Sequence, residues 1–473
     1  MAKKRIAVIG GGITGLSAAF YLKKEIEANQ LDAEYVLYEA SGQLGGKIQT
    51  VKRDGFTIEQ GPDSFLARKK SASVLAKETG IEDKLIRNSS GQSYILFNDK
   101  LYPMPGGAIL GIPTKWGPFL QTKLFSPAGK LRAAGDLVRP RVTQEGEDIA
   151  LGEFFRKRLG NEVVDRLIDP LLSGIYAGNL DKLSMQATFP HFQQLEEKHR
   201  SLVLGMKSSI AKQGAQSQKS TKGKKAPGMF LSFKGGLQTL VDAVEKRLDA
   251  DSVKKNAVLS SINKLDGGGY LLKFQDGSED RADKVIMATP HNITYGLLKD
   301  RADISYLNEM PSTSVATVVL AFPESSLKKD IDGAGFVVSR ASNYSITACT
   351  WTHRKWEESA PEGYALLRGY VGRAGDEEIV YKSDEEIVDA VLKDLSHIME
   401  IDGKPEFHLI KRWKKSMPQY EVGHLKKLED VYKSVEAELP GLLITGASYG
   451  GIGIPDCIDQ GKAAAEKILS EAK

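Results

Sequence analysis

The stretch Ile6–Phe20, IAVIGGGITGLSAAF, decides the fold of this chain. An apolar strand pattern runs into a glycine-rich turn and then into a helix pattern, and a second apolar run, EYVLYE, ends at Glu39. The turn Gly10–Gly15 matches GxGxxG, whose glycines permit a tight turn and a close approach of the backbone to a pyrophosphate at a helix N-terminus. The stretch therefore predicts a β-α-β unit with a candidate dinucleotide site, although such turns also occur for structural reasons alone.

Two neighbouring features strengthen the nucleotide interpretation. Glu39 ends the second strand, where its carboxylate can accept hydrogen bonds from ribose hydroxyl groups. Gly45, Gly46 and Lys47 follow as a second glycine pair with a cation, suited to the other side of the same pyrophosphate. Together the three features predict a nucleotide-binding site.

Two further α/β stretches lie far along the chain. Residues 253–290 carry the runs AVLSSI, YLLKF and KVIMATP, and residues 439–469 carry GLLITGA, a glycine-rich turn and a helix pattern. One discontinuous domain would use all three stretches. Between them, residues 95–205 show helical periodicity, whereas SVATVVLAF, GFVVSR, SITACTWT and ALLRGYVG predict a mostly antiparallel sheet.

Length, charge and cysteine content exclude several classes of protein. A chain of 473 residues is too long for one ordinary core, so we expect at least two packed units. The net charge of +4, from 65 basic and 61 acidic residues, is not that of a nucleic-acid-binding protein. Cys349 and Cys457 lie far apart, so we expect two free thiols and a reducing, cytoplasmic location. The histidines lack metal-ligand spacing, so we expect no metal site. No signal peptide and no run of ~18 apolar residues is visible, so we expect no membrane-spanning segment, while peripheral membrane contact stays open.

Residues 207–228 form a basic, low-complexity segment. They include six lysines and no acidic residue among Ser, Gly and Gln. We interpret the segment as a mobile surface loop. Attraction of an anionic substrate or a lipid head group is the functional alternative.

The nucleotide motif resembles that of a known family. Gly10–Gly15, Glu39 and Gly45–Lys47 are similar to the N-terminal pattern of the FAD-binding oxidoreductases that include monoamine oxidases, phytoene desaturases and protoporphyrinogen oxidases. Thr445–Ala447 and Gly450–Pro455, followed by a helix pattern, resemble the second flavin contact of that family. A helix N-terminus aimed at the flavin would stabilise negative charge on the reduced cofactor. The resemblance therefore implies FAD as the cofactor.

More specific segments resemble the porphyrinogen oxidases of this family, and they are spread over almost the whole chain. They are Glu59–Phe65 (EQGPDSF), Leu172–Gly178 (LSGIYAG), Trp413–Tyr420 (WKKSMPQY) and Gly453–Cys457 (GIPDC). The match is closest to the soluble enzymes of Gram-positive bacteria. It implies the six-electron oxidation of coproporphyrinogen III to coproporphyrin III in haem biosynthesis, by hydride transfer to FAD, with oxygen as acceptor and hydrogen peroxide as product. Contact with a ferrochelatase stays open.

The same resemblance implies a domain organisation. We expect an α/β fold with a discontinuous Rossmann-like FAD-binding domain, an antiparallel-sheet substrate domain and a helical insertion. The expected boundaries are 1–60, 226–295 and 434–473 for the FAD-binding domain, 61–95 and 296–433 for the substrate domain, 96–205 for the helical domain, and 206–225 for a substrate-domain segment with the mobile loop.

The site residues implied by the resemblance fall into two groups. The flavin contacts are Gly10, Gly11, Gly12, Ile13, Thr14, Gly15, Glu39, Ala40, Lys47, Gly61, Pro62, Asp63, Ser64, Val258, Trp413, Ile452, Gly453 and Ile454. The substrate contacts are Lys69, Gly174, Ile175, Val337 and Tyr370. No side chain acts as acid, base or nucleophile, because the protein mainly positions the substrate against the flavin and excludes water, through Gly174, Ile175 and Tyr370.

Propionate recognition departs from the pattern of the membrane-bound relatives. Where those enzymes have an arginine for a propionate, this chain has Ser93, so we expect Lys69, with Arg68 and Lys70, to take that part. From the residues alone, Ile175, Val337 and Tyr370 fit a plain hydrophobic core equally well.

Three alternative functions stay open. The first is protoporphyrinogen IX oxidation, and the second is oxidation of another CH–NH or CH–CH donor by an amine oxidase or a desaturase. The third is a binding protein similar to the GDP-dissociation inhibitors, which lack a working flavin site. The intact Glu39, the Gly45–Lys47 segment and the C-terminal glycine turn favour an enzyme.

Overall fold

The structure of the protein is a computed structural model that describes residues 3–89, 91–144, 146–217, 228–329 and 331–470. Its strands are β1 (Lys4–Ile9), β2 (Ala33–Tyr38), β3 (Thr50–Arg53), β4 (Phe56–Glu59), β5 (Phe65–Leu66), β6 (Leu85–Arg87), β7 (Ser93–Phe97), β8 (Lys100–Pro103), β9 (Ala108–Ile109), β10 (Ile112–Pro113), β11 (Phe230–Phe233), β12 (Val253–Lys254), β13 (Leu259–Lys264), β14 (Tyr270–Phe274), β15 (Glu279–Ala282), β16 (Lys284–Met287), β17 (Ser312–Pro323), β18 (Gly335–Val338), β19 (Ile346–Trp351), β20 (Tyr364–Val371), β21 (Phe407–Pro418) and β22 (Leu442–Ile444). Its α-helices are α1 (Ile13–Asn29), α2 (Ser71–Thr79), α3 (Trp116–Gln121), α4 (Pro127–Ala134), α5 (Leu151–Leu159), α6 (Asn161–Val163), α7 (Asp169–Tyr176), α8 (Met185–Thr188), α9 (Pro190–His199), α10 (Leu202–Ser217), α11 (Gln238–Glu245), α12 (His291–Leu298), α13 (Ser305–Glu309), α14 (Thr352–Lys355), α15 (Asp384–Met399), α16 (His424–Glu438) and α17 (Ile454–Ser470).

The chain divides into two compact units, and the fold is mixed α/β with several sheets. The first unit comprises Met1–Asn88, Met229–Met310 and Leu425–Lys473, and the second comprises Ser89–Gly228 and Pro311–His424. Among the described residues, no helix is long and apolar enough to cross a membrane.

A parallel sheet in the order β12–β2–β1–β16–β22 organises the first unit. Side chains alternate across it: Ile6 and Val8 pack into a core with α1 and α17, whereas Ala7 and Ile9 pack on the other face with β13–β15 and α16. Burial on both faces explains the continuous apolar run of β1. The β-α-β unit predicted from this run is confirmed by β1, α1 and β2.

A sheet in the order β21–β17–β20–β19–β18–β7–β8 organises the second unit. Its neighbours are antiparallel except for β18 and β7, which run parallel. Val318, Val371 and Phe336 lie on the face that packs against α15, in one buried cluster with Val391. The predicted strands and their antiparallel pairing are confirmed.

The prediction of helical structure from residue 95 was wrong for its first part. Residues 93–113 form β7–β10, and the helices begin at Trp116. Ile95 and Leu96 are fully buried within the sheet of the second unit. β-branched and aromatic residues such as those of SYILF fit a pleated, half-buried surface, and here sheet contacts outweigh a weak helical pattern.

The prediction of a loop over residues 207–228 was also wrong for its first half. Helix α10 continues to Ser217, and residues 218–227 lie outside the described residues. Ala, Lys, Gln and Met are good helix formers, and the start of α10 is anchored by the buried side chains of Leu202, Val203 and Met206. A polar composition was therefore a poor guide to local structure at this place.

Candidate active site

The glycine turn between β1 and α1 has the geometry of a phosphate cradle. Gly10 has a φ of +104°, and a Cβ at Gly15 would lie 1.9 Å from the carbonyl oxygen of Gly10, so both positions require glycine. A Cβ at Gly12 would meet no atom within 4 Å. Gly12 is also the N-cap of α1 and supplies no side-chain cap. Open space in front of a helix N-terminus that no side chain caps is a fitting place for a pyrophosphate.

Glu39 holds this turn from the end of β2. Its Oε2 accepts a hydrogen bond of 2.7 Å from the backbone N–H of Gly11, and its Oε1 accepts one of 2.8 Å from Ser41. A carboxylate has lone pairs to spare beyond these two bonds, so it can also accept ribose hydroxyl groups. The backbone N–H of Ala257 donates to the carbonyl oxygen of Glu39 over 2.9 Å, which brings Val258 close to Glu39 and Ala40.

The second glycine pair lies against the first turn. The N–H of Gly45 donates to the carbonyl oxygen of Gly11 over 2.9 Å, and a Cβ at Gly46 would lie 3.1 Å from the Cα of Gly12. Lys47 follows, half-buried, and burial lowers the pKa of its ammonium group. An anionic phosphate nearby would favour the charged form of such a lysine. The residues of this cradle therefore fit a dinucleotide such as FAD.

The C-terminal glycine turn is fastened by a residue that the sequence did not single out, Gln460. Its Oε1 accepts hydrogen bonds from the N–H groups of Gly446 and Gly450, at 3.2 and 3.0 Å, and its Nε2 donates to the carbonyl oxygen of Gly451 over 3.1 Å. A Cβ at Gly461 would lie 2.2 Å from the carbonyl oxygen of Thr14, so α17 packs closely on α1 at that glycine. The turn before Ile452–Ile454 is thereby placed beside the start of α1.

The remaining predicted residues of the first unit follow β4. Gly61–Ser64 are half-buried, and Ser64 donates a hydrogen bond of 2.6 Å to Asp63. Lys69, predicted to bind a propionate, forms an ion pair with Asp456, with its Nζ 2.5 Å from Oδ1 and 2.6 Å from Oδ2. The sequence offered no signal for this pair, because an acidic residue in the first turn of a helix is explained by the helix dipole alone.

In the second unit, the register of the sheet places Val337 and Tyr370 on the same face, two strands apart. Val337 pairs with Ala348, and Ala348 pairs with Tyr370, so the side chains of all three point to one face, with Val337 and Tyr370 about 10 Å apart. This face is opposite the one covered by α15. Trp413, on β21, has Lys411 over its ring at 5.1 Å, and Lys411 lies in the same row as Tyr370, through Thr317.

Gly174 and Ile175 lie on α7, also in the second unit. Ile175 is 44% exposed, as are several other large apolar side chains of the described residues. The start of the helix is held by Arg340, whose Nε donates to Oδ2 of Asp169 over 3.0 Å. Burial raises the pKa of the Asp169 carboxyl, against the effect of the nearby Arg340 guanidinium.

Comparison with known proteins decides the family. The family model of flavin-containing amine oxidoreductases matches residues 13–469. The chain belongs to this family. Over 468 residues, this flavin-containing oxidoreductase is 52% identical to the coproporphyrinogen III oxidase of Bacillus subtilis (strain 168), with 99% of this chain and 98% of the relative covered.

Two further relatives extend over the same length. The flavin-containing oxidoreductase is 43% identical to the coproporphyrinogen III oxidase of Staphylococcus aureus (strain NCTC 8325 / PS 47) over 473 residues, with 99% of each chain covered. A crystal structure from Exiguobacterium sp. 255-15, assigned as a protoporphyrinogen oxidase, matches with a TM-score of 0.87 at 40% identity over the whole of both chains. The predictions of an FAD-dependent oxidoreductase and of the family are confirmed, while the individual flavin and substrate contacts remain predictions.

Proposed function

We propose that this flavin-containing oxidoreductase converts coproporphyrinogen III to coproporphyrin III, with oxygen as the electron acceptor. The observation that carries the proposal is the 52% identity to the coproporphyrinogen III oxidase of Bacillus subtilis along nearly the full length of both chains. The glycine turn, Glu39 and the second glycine pair support it, because together they form a cradle suited to FAD.

We infer that the first unit is a discontinuous Rossmann-like FAD-binding domain. The β1–α1 turn lies at the end of a strand of its parallel sheet, where we expect the pyrophosphate, and Glu39 would accept hydrogen bonds from the ribose hydroxyl groups. Lys47 would face the phosphates, and Ile452–Ile454, at the start of α17, would lie along the isoalloxazine ring. Bound there, FAD would supply the acceptor for hydride equivalents.

The second unit would then be the substrate domain, with its antiparallel sheet and helices. Val337 and Tyr370 share one face of that sheet, and the exposed Ile175 offers a further apolar contact, as a flat macrocycle requires. These side chains would orient the substrate and exclude water rather than transfer protons. Overall, six electrons and six hydrogens leave the porphyrinogen, and three oxygen molecules become three molecules of hydrogen peroxide.

The test is anaerobic mixing of the purified protein with coproporphyrinogen III or protoporphyrinogen IX in parallel, followed by admission of oxygen. We expect bleaching of the flavin absorbance by coproporphyrinogen III, then a porphyrin Soret band, red fluorescence and peroxide. The preference in kcat/KM for coproporphyrinogen III should be about tenfold or more, because one partly desolvated lysine-carboxylate contact contributes ~1.5–3 kcal/mol.

The outcomes separate the candidate functions. Equal or reversed preference would replace the coproporphyrinogen proposal with protoporphyrinogen oxidation, and bleaching by neither substrate would point to another amine or CH–CH donor. A ferrochelatase partner and a cytoplasmic location belong to the same proposal. Both are tested by co-purification from the native cell and by fractionation.

A further inference from the structure

Lys69 and Asp456 form an ion pair within the first unit. Nζ of Lys69 lies 2.5 Å from Oδ1 and 2.6 Å from Oδ2 of Asp456, so both carboxylate oxygens share one ammonium group. The side chains are 38% and 29% exposed, respectively. The charge of Lys69 is therefore already compensated by a residue of the protein itself.

Asp456 is the member of the pair that touches the C-terminal glycine turn. A Cβ at Gly453 would lie 2.6 Å from its Oδ2, and a Cβ at Gly451 would lie 3.6 Å from the same oxygen. Asp456 also stands in the first turn of α17. Its carboxylate is thus packed against the residues proposed to lie along the flavin.

We propose that Lys69 and Asp456 act as one electrostatic unit that sets the midpoint potential of the bound FAD. This inference rests on the proposed function, because it requires Ile452–Ile454 to contact the flavin. A carboxylate beside the flavin opposes the gain of negative charge on reduction, and the ammonium group of Lys69 cancels that effect. Lys69 is therefore a positioning residue that acts through Asp456, in contrast to a lysine that serves only to bind a propionate.

The test measures the midpoint potential of the holoprotein by anaerobic equilibration with a reference dye. Asp456→Asn should raise the midpoint potential and Lys69→Met should lower it. Each shift should be about 30 mV, which for a two-electron couple is a tenfold change in the equilibrium constant of reduction. The double variant should return close to the wild-type value, because neither charge is then left alone. Lys69→Arg should keep the wild-type potential.

Lys70→Met is the matched control. Lys70 is the next residue, is exposed and precedes α2 as its N-cap, so the variant removes the same charge from the same segment without breaking the pair. Its flavin potential should equal that of the wild type.

Several results would overturn the proposal. One is an unchanged potential in both Asp456→Asn and Lys69→Met, even if Lys69→Met raises the KM for coproporphyrinogen III, because Lys69 would then be a substrate contact only. Another is a double variant whose change in midpoint potential is not the sum of the two single changes, with a deviation larger than either single change. If Asp456→Asn loses its flavin, the midpoint potentials of Lys69→Met and Lys69→Arg test the proposal. A lower potential in Lys69→Met than in Lys69→Arg supports it, and equal potentials overturn it. A wild-type protein that binds no FAD would instead refute the proposed function.

Discussion

Nε2 of Gln419 donates a hydrogen bond of 2.8 Å to the carbonyl oxygen of Tyr176, the last residue of α7. The same amide donates to the carbonyl oxygen of Met417 over 2.9 Å. Two segments that resemble the porphyrinogen oxidases, LSGIYAG and WKKSMPQY, therefore meet through one side chain. The bond fixes the end of the helix that carries Gly174 and Ile175.

Gln419→Leu should weaken both stability and catalysis. Gln419 is 4% exposed, and the substitution removes its hydrogen bonds to the carbonyl oxygens of Tyr176 and Met417, which contribute about 0.5–1.5 kcal/mol each. The Tm should fall, and kcat/KM for coproporphyrinogen III should fall because the C-terminal end of α7 loses this hydrogen bond. Gln193→Leu is the control, since Gln193 is also buried and donates to the carbonyl oxygen of Glu147 over 3.2 Å. Equal losses of kcat/KM in the two variants would contradict a specific role for Gln419.

Gly12→Ala and Gly15→Ala should differ in what they damage. A Cβ at Gly15 would overlap the carbonyl oxygen of Gly10, so Gly15→Ala should lower the Tm of the FAD-free protein. A Cβ at Gly12 meets nothing, so Gly12→Ala should keep that Tm within a few degrees while it weakens FAD binding, because the methyl group enters the proposed phosphate cradle. Thermal unfolding and FAD titration of both FAD-free variants provide the check. Tight FAD binding by Gly12→Ala would show that the pyrophosphate lies elsewhere.

Glu39→Ala should lower the affinity for FAD. The substitution removes the hydrogen bonds to the N–H groups of Gly11 and Ser41 as well as the proposed ribose contact. Hydrogen bonds to a charged group contribute about 1.5–3 kcal/mol each, so the Kd should rise at least tenfold. The measurement is fluorescence titration of FAD into the FAD-free protein, with Glu34→Ala on the same strand as the control. A Kd that stays at the wild-type value would remove Glu39 from the site.

The flavin should be bound non-covalently. Cys457 is the cysteine next to the proposed flavin contact, but it is buried, and its thiol donates to the carbonyl oxygen of Gly451 over 3.6 Å. Acid precipitation should therefore release the flavin into the supernatant. Yellow colour retained in the pellet would indicate a covalent link.

The two buried thiols should make the protein less stable at alkaline pH. Burial raises the pKa of Cys457 to about 11 and that of Cys349 to about 12, against about 8.5 in an unfolded chain. Because the folded pKa is raised, the contribution to stability is complete below about pH 8.5 and is lost as the pH rises toward 11. The Tm should fall over this range, and less steeply in Cys349→Ala. Parallel Tm curves for the wild type and the variant would show that this thiol does not contribute.

The sheet of the second unit and helix α10 show which elements a local sequence pattern can predict. The run SVATVVLAF predicted β17 correctly, because a short continuous apolar run rich in valine is typical of a fully buried strand, and β17 is buried along almost its whole length. The part of α10 from residue 207 was missed because a polar composition was interpreted as a loop although it contains good helix formers. The strands at 93–113 were missed because sheet partners such as β18 lie far along the chain.

By itself, the sequence determined the β-α-β unit with its glycine turn and the family. Gly10, Gly15 and Glu39 are required by backbone geometry and hydrogen bonding within one β-α-β unit, so their spacing carries the information. Only the tertiary structure decided that Lys69 pairs with Asp456. The two residues are 387 positions apart, and a Coulombic interaction depends on the distance in space that folding creates, which no local pattern records.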